Sequence, residues 1–306
     1  MERPKIVDAH IHLWDLKRLS YAWLTPPFSD DGPNGNVEPI AKTYLLADYL
    51  KDAAGWTIEA AVHVDAGAAA NETLDETRFI AEIAASAPFP LVHVAYAALD
   101  DPKVEPLLAA HAEHGIVRGI RQILNYHPDP KKTYSARDLL GTAEFERGFS
   151  LLKTYRLSFD LQIYPGQMER AAKLAARHPE TVLVLNHAGM AILDDPAPPV
   201  GRDADGLRLW RAGMKTLAAR PNVFVKLSGF GIVDPDWTED SIRPFVLETI
   251  DMFGPKRAMF ASDVPTDKLH ATFDRLMESY ARLTAAFSEA ERARLFSGTA
   301  KEVYRL

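Results

Sequence analysis

Val7-Asp-Ala-His-Ile-His-Leu-Trp-Asp15 is the stretch on which the reading of this 306-residue chain turns. The short β-prone run Lys5-Ile6-Val7 leads into it. If the strand continues, His10 and His12, two residues apart, project to one face, because side chains on a strand alternate with a period of two. A His-x-His pair by itself is more often structural than catalytic. Here a third histidine, His187, and an aspartate, Asp263, end later strand-like runs, which turns the pair into part of a pattern.

Outward from that stretch the chain alternates. Apolar, β-prone runs fall over 59–65, 90–96, 117–124, 157–164, 182–186, 222–228 and 257–261. Helix-length segments fall between them, over 44–54, 72–87, 104–114, 143–155, 167–177, 207–219, 242–253 and 268–286. A last helix begins at Ser288-Glu-Ala-Glu291, whose Ser-x-x-Glu spacing is that of a capping box. Continuous apolar strands separated by helices indicate parallel strands buried on both faces. Eight such units in about 300 residues predict an α/β fold, a (β/α)8 TIM barrel forming one domain over 1–306. Long loops are expected after strands 1, 4, 6 and 7. The first of these, rich in Trp14, Tyr21, Trp23 and Phe28, is expected to form a partial lid. A doubly wound open sheet would want a Gly-rich turn after an early strand, where this chain has His-Ile-His-Leu-Trp.

Composition narrows the function. With 47% hydrophobic residues and 25% charged, the chain has material for a large core. A net charge of -7 and no basic run longer than Pro130-Lys131-Lys132 argue against nucleic acid or an anionic membrane as partner. No cysteine occurs, so thiolate ligands, disulfides and a Cys nucleophile are excluded. No apolar signal core opens the sequence and no window approaches a membrane span, so a cytoplasmic location is expected. A small-molecule substrate is expected, and homo-oligomerisation is left open.

In a barrel of this type reactive groups gather at the C-terminal strand ends. Those ends carry His10 and His12, His63 and Asp65, His93 and Tyr96, Arg121 and Gln122, Asp160 and Gln162, Asn186 and His187, Lys226 and Ser228, and Asp263. Arg121 suits a substrate carboxylate or polyol, with a structural ion pair as the competing reading. Lys226 suits an oxyanion or, read structurally, a barrel carboxylate. His63 and His93 read first as core groups. Gln162, Trp23, Tyr126 and His127 complete the candidate substrate contacts. His111 and His114, three apart near a helix C-terminus, read as surface residues.

These motifs, with Tyr-Ala-Trp-Leu, Val-Arg-Gly-Ile-Arg, Leu-Asn-His-Ala-Gly, Val-Lys-Leu-Ser-Gly and Phe-Gly-Pro-Lys-Arg-Ala-Met-Phe-Ala-Ser-Asp-Val-Pro, resemble the amidohydrolase superfamily over essentially the whole chain. Within it they look like the lactone-hydrolase branch that includes 2-pyrone-4,6-dicarboxylate lactonase and sugar-acid lactonases such as fuconolactonase and rhamnonolactonase. The resemblance implies a hydrolase that opens a lactone or similar cyclic ester. Asp263 would be the general base, and His10, His12 and His187 would polarise the carbonyl, directly or through a metal. It implies either no required cofactor or one divalent metal, zinc foremost, held by His10, His12 and Asp263 with His187. Binuclear members carry a strand-4 lysine or glutamate and a strand-5 histidine, whereas Arg121 and Gln162 stand here, so two metals are not expected. The alternatives are a zinc-dependent decarboxylase or amide hydrolase of a related branch, and a non-catalytic binding barrel.

Overall fold

The computed structural model describes residues 3–192 and 206–306. Eight strands follow one another round a single parallel sheet: β1 (Ile6–Ile11), β2 (Ile58–Val64), β3 (Leu91–Tyr96), β4 (Val117–Ile123), β5 (Ser158–Gln162), β6 (Leu183–Leu185), β7 (Val223–Leu227) and β8 (Ala258–Phe260). Each pairs with the next in parallel. The expected (β/α)8 barrel is therefore the fold, and each strand lies close to its expected span.

Closure of the barrel is made by the residues of interest. The Asp263 N–H donates to the His10 carbonyl at 2.8 Å, and the His12 N–H donates to the Val264 carbonyl at 2.8 Å. A bridge between Ile11 and Val264 completes this seam. Asp8 supports it from the side, its carboxylate accepting the Ser262 N–H at 2.8 Å and the Tyr49 O–H at 3.1 Å. Burial raises the Asp8 carboxyl to about 6, against those hydrogen bonds.

Helices α1 (Leu46–Asp52), α2 (Thr73–Ala84), α3 (Val104–Glu113), α4 (Ala143–Leu151), α5 (Met168–Arg177) and α6 (Gly206–Ala218) follow the first six strand units in turn. A short α7 (Phe230–Val233) follows β7 and interrupts the loop expected there; α8 (Glu239–Phe253) comes before β8 and α9 (Phe273–Leu283) after it. The capping box at Ser288 forms as expected and opens α10 (Glu289–Ala293). The chain then runs into α11 (Thr299–Tyr304), whose Ala300, Val303 and Tyr304 pack with Val7, Val62 and Val94 of the first strands and fill the barrel interior. No helix among the described residues is long and apolar enough to cross a membrane.

One expectation is corrected, and one irregularity of β1 stands out. His111 is not a surface residue: it is fully buried, one ring nitrogen 2.9 Å from the Thr77 hydroxyl and the other 3.1 Å from the Tyr96 carbonyl, so it ties α3 to α2 and β3. Strict alternation along β1 would also put Asp8 on the face of His10. Instead Asp8 meets Tyr49 on α1 while His10 meets Lys226 of β7, and a register irregularity between Asp8 and Ile11 accounts for the change. The loop expected over 194–205, with Arg202, lies outside the described residues.

Candidate active site

The barrel's C-terminal end holds a cavity of about 230 Å³, lined by His12, His187 and Asp263 on one side and by Trp23, Arg121 and Gln162 on the other. Liquid water would fill it with roughly eight molecules, so it suits a small ring and not a polymer. Asn34, Tyr134 and Thr266, which single-sequence reasoning did not single out, also line it. Asn34 and Tyr134 come from loops and Thr266 opens a short 3-10 turn after β8, where no periodicity marks a residue as facing inward.

His10, His12 and Asp263 form a triangle. His10 Nε2 lies 3.2 Å from His12 Nε2, and Asp263 Oδ1 is 3.4 Å from the first and 3.3 Å from the second. His10 stands behind the other two, with no exposed surface. His12 Nδ1 donates to the Val64 carbonyl at 2.9 Å, which fixes the ring. Asp263 Oδ2 is buried without a hydrogen-bond partner. Burial would raise the Asp263 carboxyl, but His187, His12 and Arg121 outweigh it and hold the group below its ordinary value, ready to accept a proton. Burial, reinforced by Lys226, keeps His10 well below the usual imidazole range and therefore neutral.

His187 completes this half. Its ring centroid is 4.8 Å from that of His10, and its Nδ1 is 3.0 Å from the Ser228 hydroxyl. Burial brings its pKa down to about 4, with Asp263 opposing. Gly229 is required by close approach: a Cβ there would lie 2.5 Å from His187 Nδ1, and its φ is +65°. Both His187 and Asp263 have left-handed backbones, φ +53° and +57°, a strain of the kind concentrated at functional positions.

The opposite wall is organised by Arg121. Its Nε donates to Asp65 Oδ2 and its Nη2 to the Asp65 carbonyl, both at 2.5 Å, and its Nη1 donates to Gln162 Oε1 at 3.3 Å. The guanidinium thus lines the cavity with its charge already matched by Asp65, so the two readings of Arg121, cavity group and ion-pair member, hold together. Beneath them Glu76 accepts the Ala66 N–H at 3.0 Å, and burial next to Asp65 raises its carboxyl to about 8. Trp23 donates its indole N–H to the Ala66 carbonyl at 2.8 Å.

Four candidates are not brought to the cavity wall: His10, which stands behind it, and Lys226, Tyr126 and His127. Lys226 is fully buried in the barrel, 2.5 Å from Asp160 Oδ2, as the structural reading of it expected. Tyr126 is 38% exposed. His127 is buried in its own loop, its Nδ1 accepting the Asp129 N–H at 2.9 Å. His63 and His93 are core groups, with their Nδ1 atoms 3.0 Å apart and His63 Nε2 3.1 Å from the Leu13 carbonyl. Arg137 pairs with Asp100 at 2.7 Å.

The donor set suits one divalent ion. Among the described residues, His10, His12 and Asp263 are the group of three whose ligand atoms all lie within 4.8 Å of one another. Their separations of 3.2, 3.4 and 3.3 Å match the edges of a tetrahedron with zinc–ligand bonds of about 2.0–2.1 Å, which are about 3.3–3.4 Å.

The amidohydrolase family model matches residues 7–306. The chain is 40% identical to the uncharacterized protein y4mH of Sinorhizobium fredii, over 98% of each chain. It is 30% identical to L-fucono-1,5-lactonase of Burkholderia multivorans, over 98% of this chain and 96% of that one. A crystal structure of a Burkholderia multivorans amidohydrolase with bound zinc superposes with a TM-score of 0.79 at 27% identity, covering 98% of this chain and 99% of that one. The chain belongs to the amidohydrolase family.

Proposed function

We propose that the protein hydrolyses a lactone or similar cyclic ester of a small organic or sugar acid. The observation that carries this is Asp263, one carboxylate oxygen held against two imidazoles and the other without a partner, at the wall of a small cavity. Asp263 Oδ2 takes a proton from water as the water oxygen attacks the carbonyl carbon. His187 donates from Nε2 to the developing oxyanion, which requires that Ser228 donate its hydroxyl hydrogen to Nδ1. Collapse of the tetrahedral intermediate breaks the ring C–O bond, and the departing alkoxide recovers the proton from Asp263, leaving a hydroxy acid. A divalent ion held by His10, His12 and Asp263 would supply Lewis-acid polarisation of the same carbonyl.

A hydroxylated sugar-acid lactone fits the cavity better than a dicarboxylate. Among the described lining residues Arg121 is the one permanently charged cation, and Asp65 already balances it. Asn34, Gln162, Tyr134 and Thr266 offer amides and hydroxyls, and Trp23 an aromatic surface, for a polyol ring. The lactonase relative from Burkholderia supports this substrate class.

The test is hydrolysis of aldono-, muconate-type and pyrone lactones, followed with a pH indicator, on metal-stripped and on zinc-refilled protein. Aldonolactone turnover is the expected result, and no turnover across the panel under either condition would overturn the reading. Decarboxylase or amide-hydrolase activity confined to the zinc-loaded protein would favour the alternative branch, against which stands Gln162 of β5, bound to Arg121 of β4.

A further inference from the structure

Lys226 is fully buried, with three neighbours around its Nζ. Nζ lies 2.5 Å from Asp160 Oδ2, 5.1 Å above the Tyr304 ring and 3.5 Å from His10 Nδ1. Burial lowers the Lys226 pKa and Asp160, which also accepts the Tyr304 O–H at 3.0 Å, opposes that shift as its counterion. An ammonium has hydrogens and no lone pair, so His10 Nδ1 meets it as an acceptor. A neutral imidazole carries one N–H, and the acceptor role of Nδ1 sends that hydrogen to Nε2.

We infer that Lys226 fixes His10 as its Nε2–H tautomer, so that in the metal-free protein a His10 proton sits inside the His10–His12–Asp263 triangle, where a divalent ion would otherwise lie. The other corners agree with this assignment. His12 Nδ1 donates to the Val64 carbonyl, so in its singly protonated form the ring turns Nε2 as an acceptor toward His10 Nε2, 3.2 Å away. Asp263 Oδ1 is a second acceptor at 3.4 Å. One N–H shared between two acceptors is a three-centre hydrogen bond.

The consequence concerns metal affinity. A metal-ligating histidine ordinarily gives its remaining N–H to a carbonyl or carboxylate. His12 has such a partner in Val64; His10 has an ammonium. To ligate through Nε2, His10 must carry its hydrogen on Nδ1, donor against donor with Lys226. The triangle therefore has the shape of a zinc site but holds the ion weakly and exchangeably, with Lys226 as the positioning residue that sets the balance. This goes beyond the lactonase reading and does not depend on which reaction the cavity performs.

The experiment is long-range 1H–15N NMR of side-chain-labelled histidines in metal-stripped protein, with His10 assigned by loss of its signals in His10→Gln. A protonated Nε2 and bare Nδ1 on His10 is the expected result; the reverse tautomer overturns the inference. In parallel, zinc affinity is measured by competition with a chromophoric chelator for wild type and for Lys226→Met/Asp160→Asn, which removes both charges of the buried pair. The double variant is expected to bind zinc about ten- to a hundredfold more tightly. Unchanged or weaker binding by a folded double variant overturns the inference, and if circular dichroism shows that it does not fold, the wild-type tautomer decides alone.

Discussion

The barrel contains two histidine pairs of nearly equal closeness, and they differ in everything else. His10 and His12 approach to 3.2 Å and His63 and His93 to 3.0 Å. The first pair ends on Asp263 at the cavity; the second ends on the backbone carbonyls of Leu13 and His63 and does not line that cavity. Both pairs contain a ring that burial keeps uncharged. Imidazole proximity and burial are therefore common to the pair proposed to act in the chemistry and to the core pair. What separates them is a carboxylate with one oxygen unpartnered and a space beside it large enough for water and a small ring.

The difference predicts the sharpest effect at Asp263. Asp263→Asn preserves shape and removes the proton acceptor, and kcat on the lactone substrate is expected to fall about 10²- to 10⁴-fold with the fold intact by circular dichroism. Near-normal kcat would mean that the carboxylate is not what distinguishes the first pair. His187→Asn comes next. Loss of a single oxyanion donor costs about 10²- to 10³-fold in kcat, with little change in KM. A change confined to KM would make His187 a binding group instead.

Much of this was legible in the chain. Strand runs are apolar on both faces because helices cover one side and the barrel interior the other, so β1 through β8 could be placed to within a few residues. His12, His187, Asp263, Arg121 and Gln162 follow from being at strand ends, and all line the cavity. The illegible part depends on three-dimensional neighbours. The irregularity between Asp8 and Ile11, the placing of His10 behind the wall, and the hydrogen bond of Tyr134 to Asn34, a hundred positions apart, have no period to betray them. His111 looked like a surface residue because its partners, Thr77 and the Tyr96 carbonyl, lie on other elements.

The inert pair has its own prediction, in stability. Burial lowers His93 to about 3 from an ordinary value near 6.5. A base depressed in the folded state binds its proton more readily in the unfolded state, so its contribution is fully present above about pH 6.5 and is lost as pH falls toward 3. Each such group contributes up to about 1.4 kcal/mol per pH unit in that window. His93→Leu removes one buried titratable ring whose Nε2 has no partner. Urea titrations from pH 7 to pH 4 are expected to show a shallower loss of stability for the variant than for wild type, with kcat unchanged at pH 7. An equal slope would place the acid sensitivity in other buried groups, and a large drop in kcat would show that the second pair is coupled to the first.

The smallest effect tests whether the cavity pair owes its activity to the loops above it. Tyr134, from the loop after β4, donates its hydroxyl to Asn34 of the loop after β1 at 2.5 Å, and both side chains line the cavity. An ion pair between Lys131 and Asp31 at 2.7 Å joins the same two loops, but both side chains are largely exposed and screened by solvent, so the Tyr134–Asn34 contact is the stronger tie. Tyr134→Phe keeps the ring and removes the hydrogen bond. One neutral hydrogen bond is worth about 0.5–1.5 kcal/mol, so KM is expected to rise about two- to tenfold while kcat stays level. Salt that screens Lys131 and Asp31 should leave KM unchanged in wild type. A kcat loss comparable to that of His187→Asn would move Tyr134 from the wall of the cavity into the chemistry, and the contrast between the two histidine pairs would then owe as much to the covering loops as to Asp263.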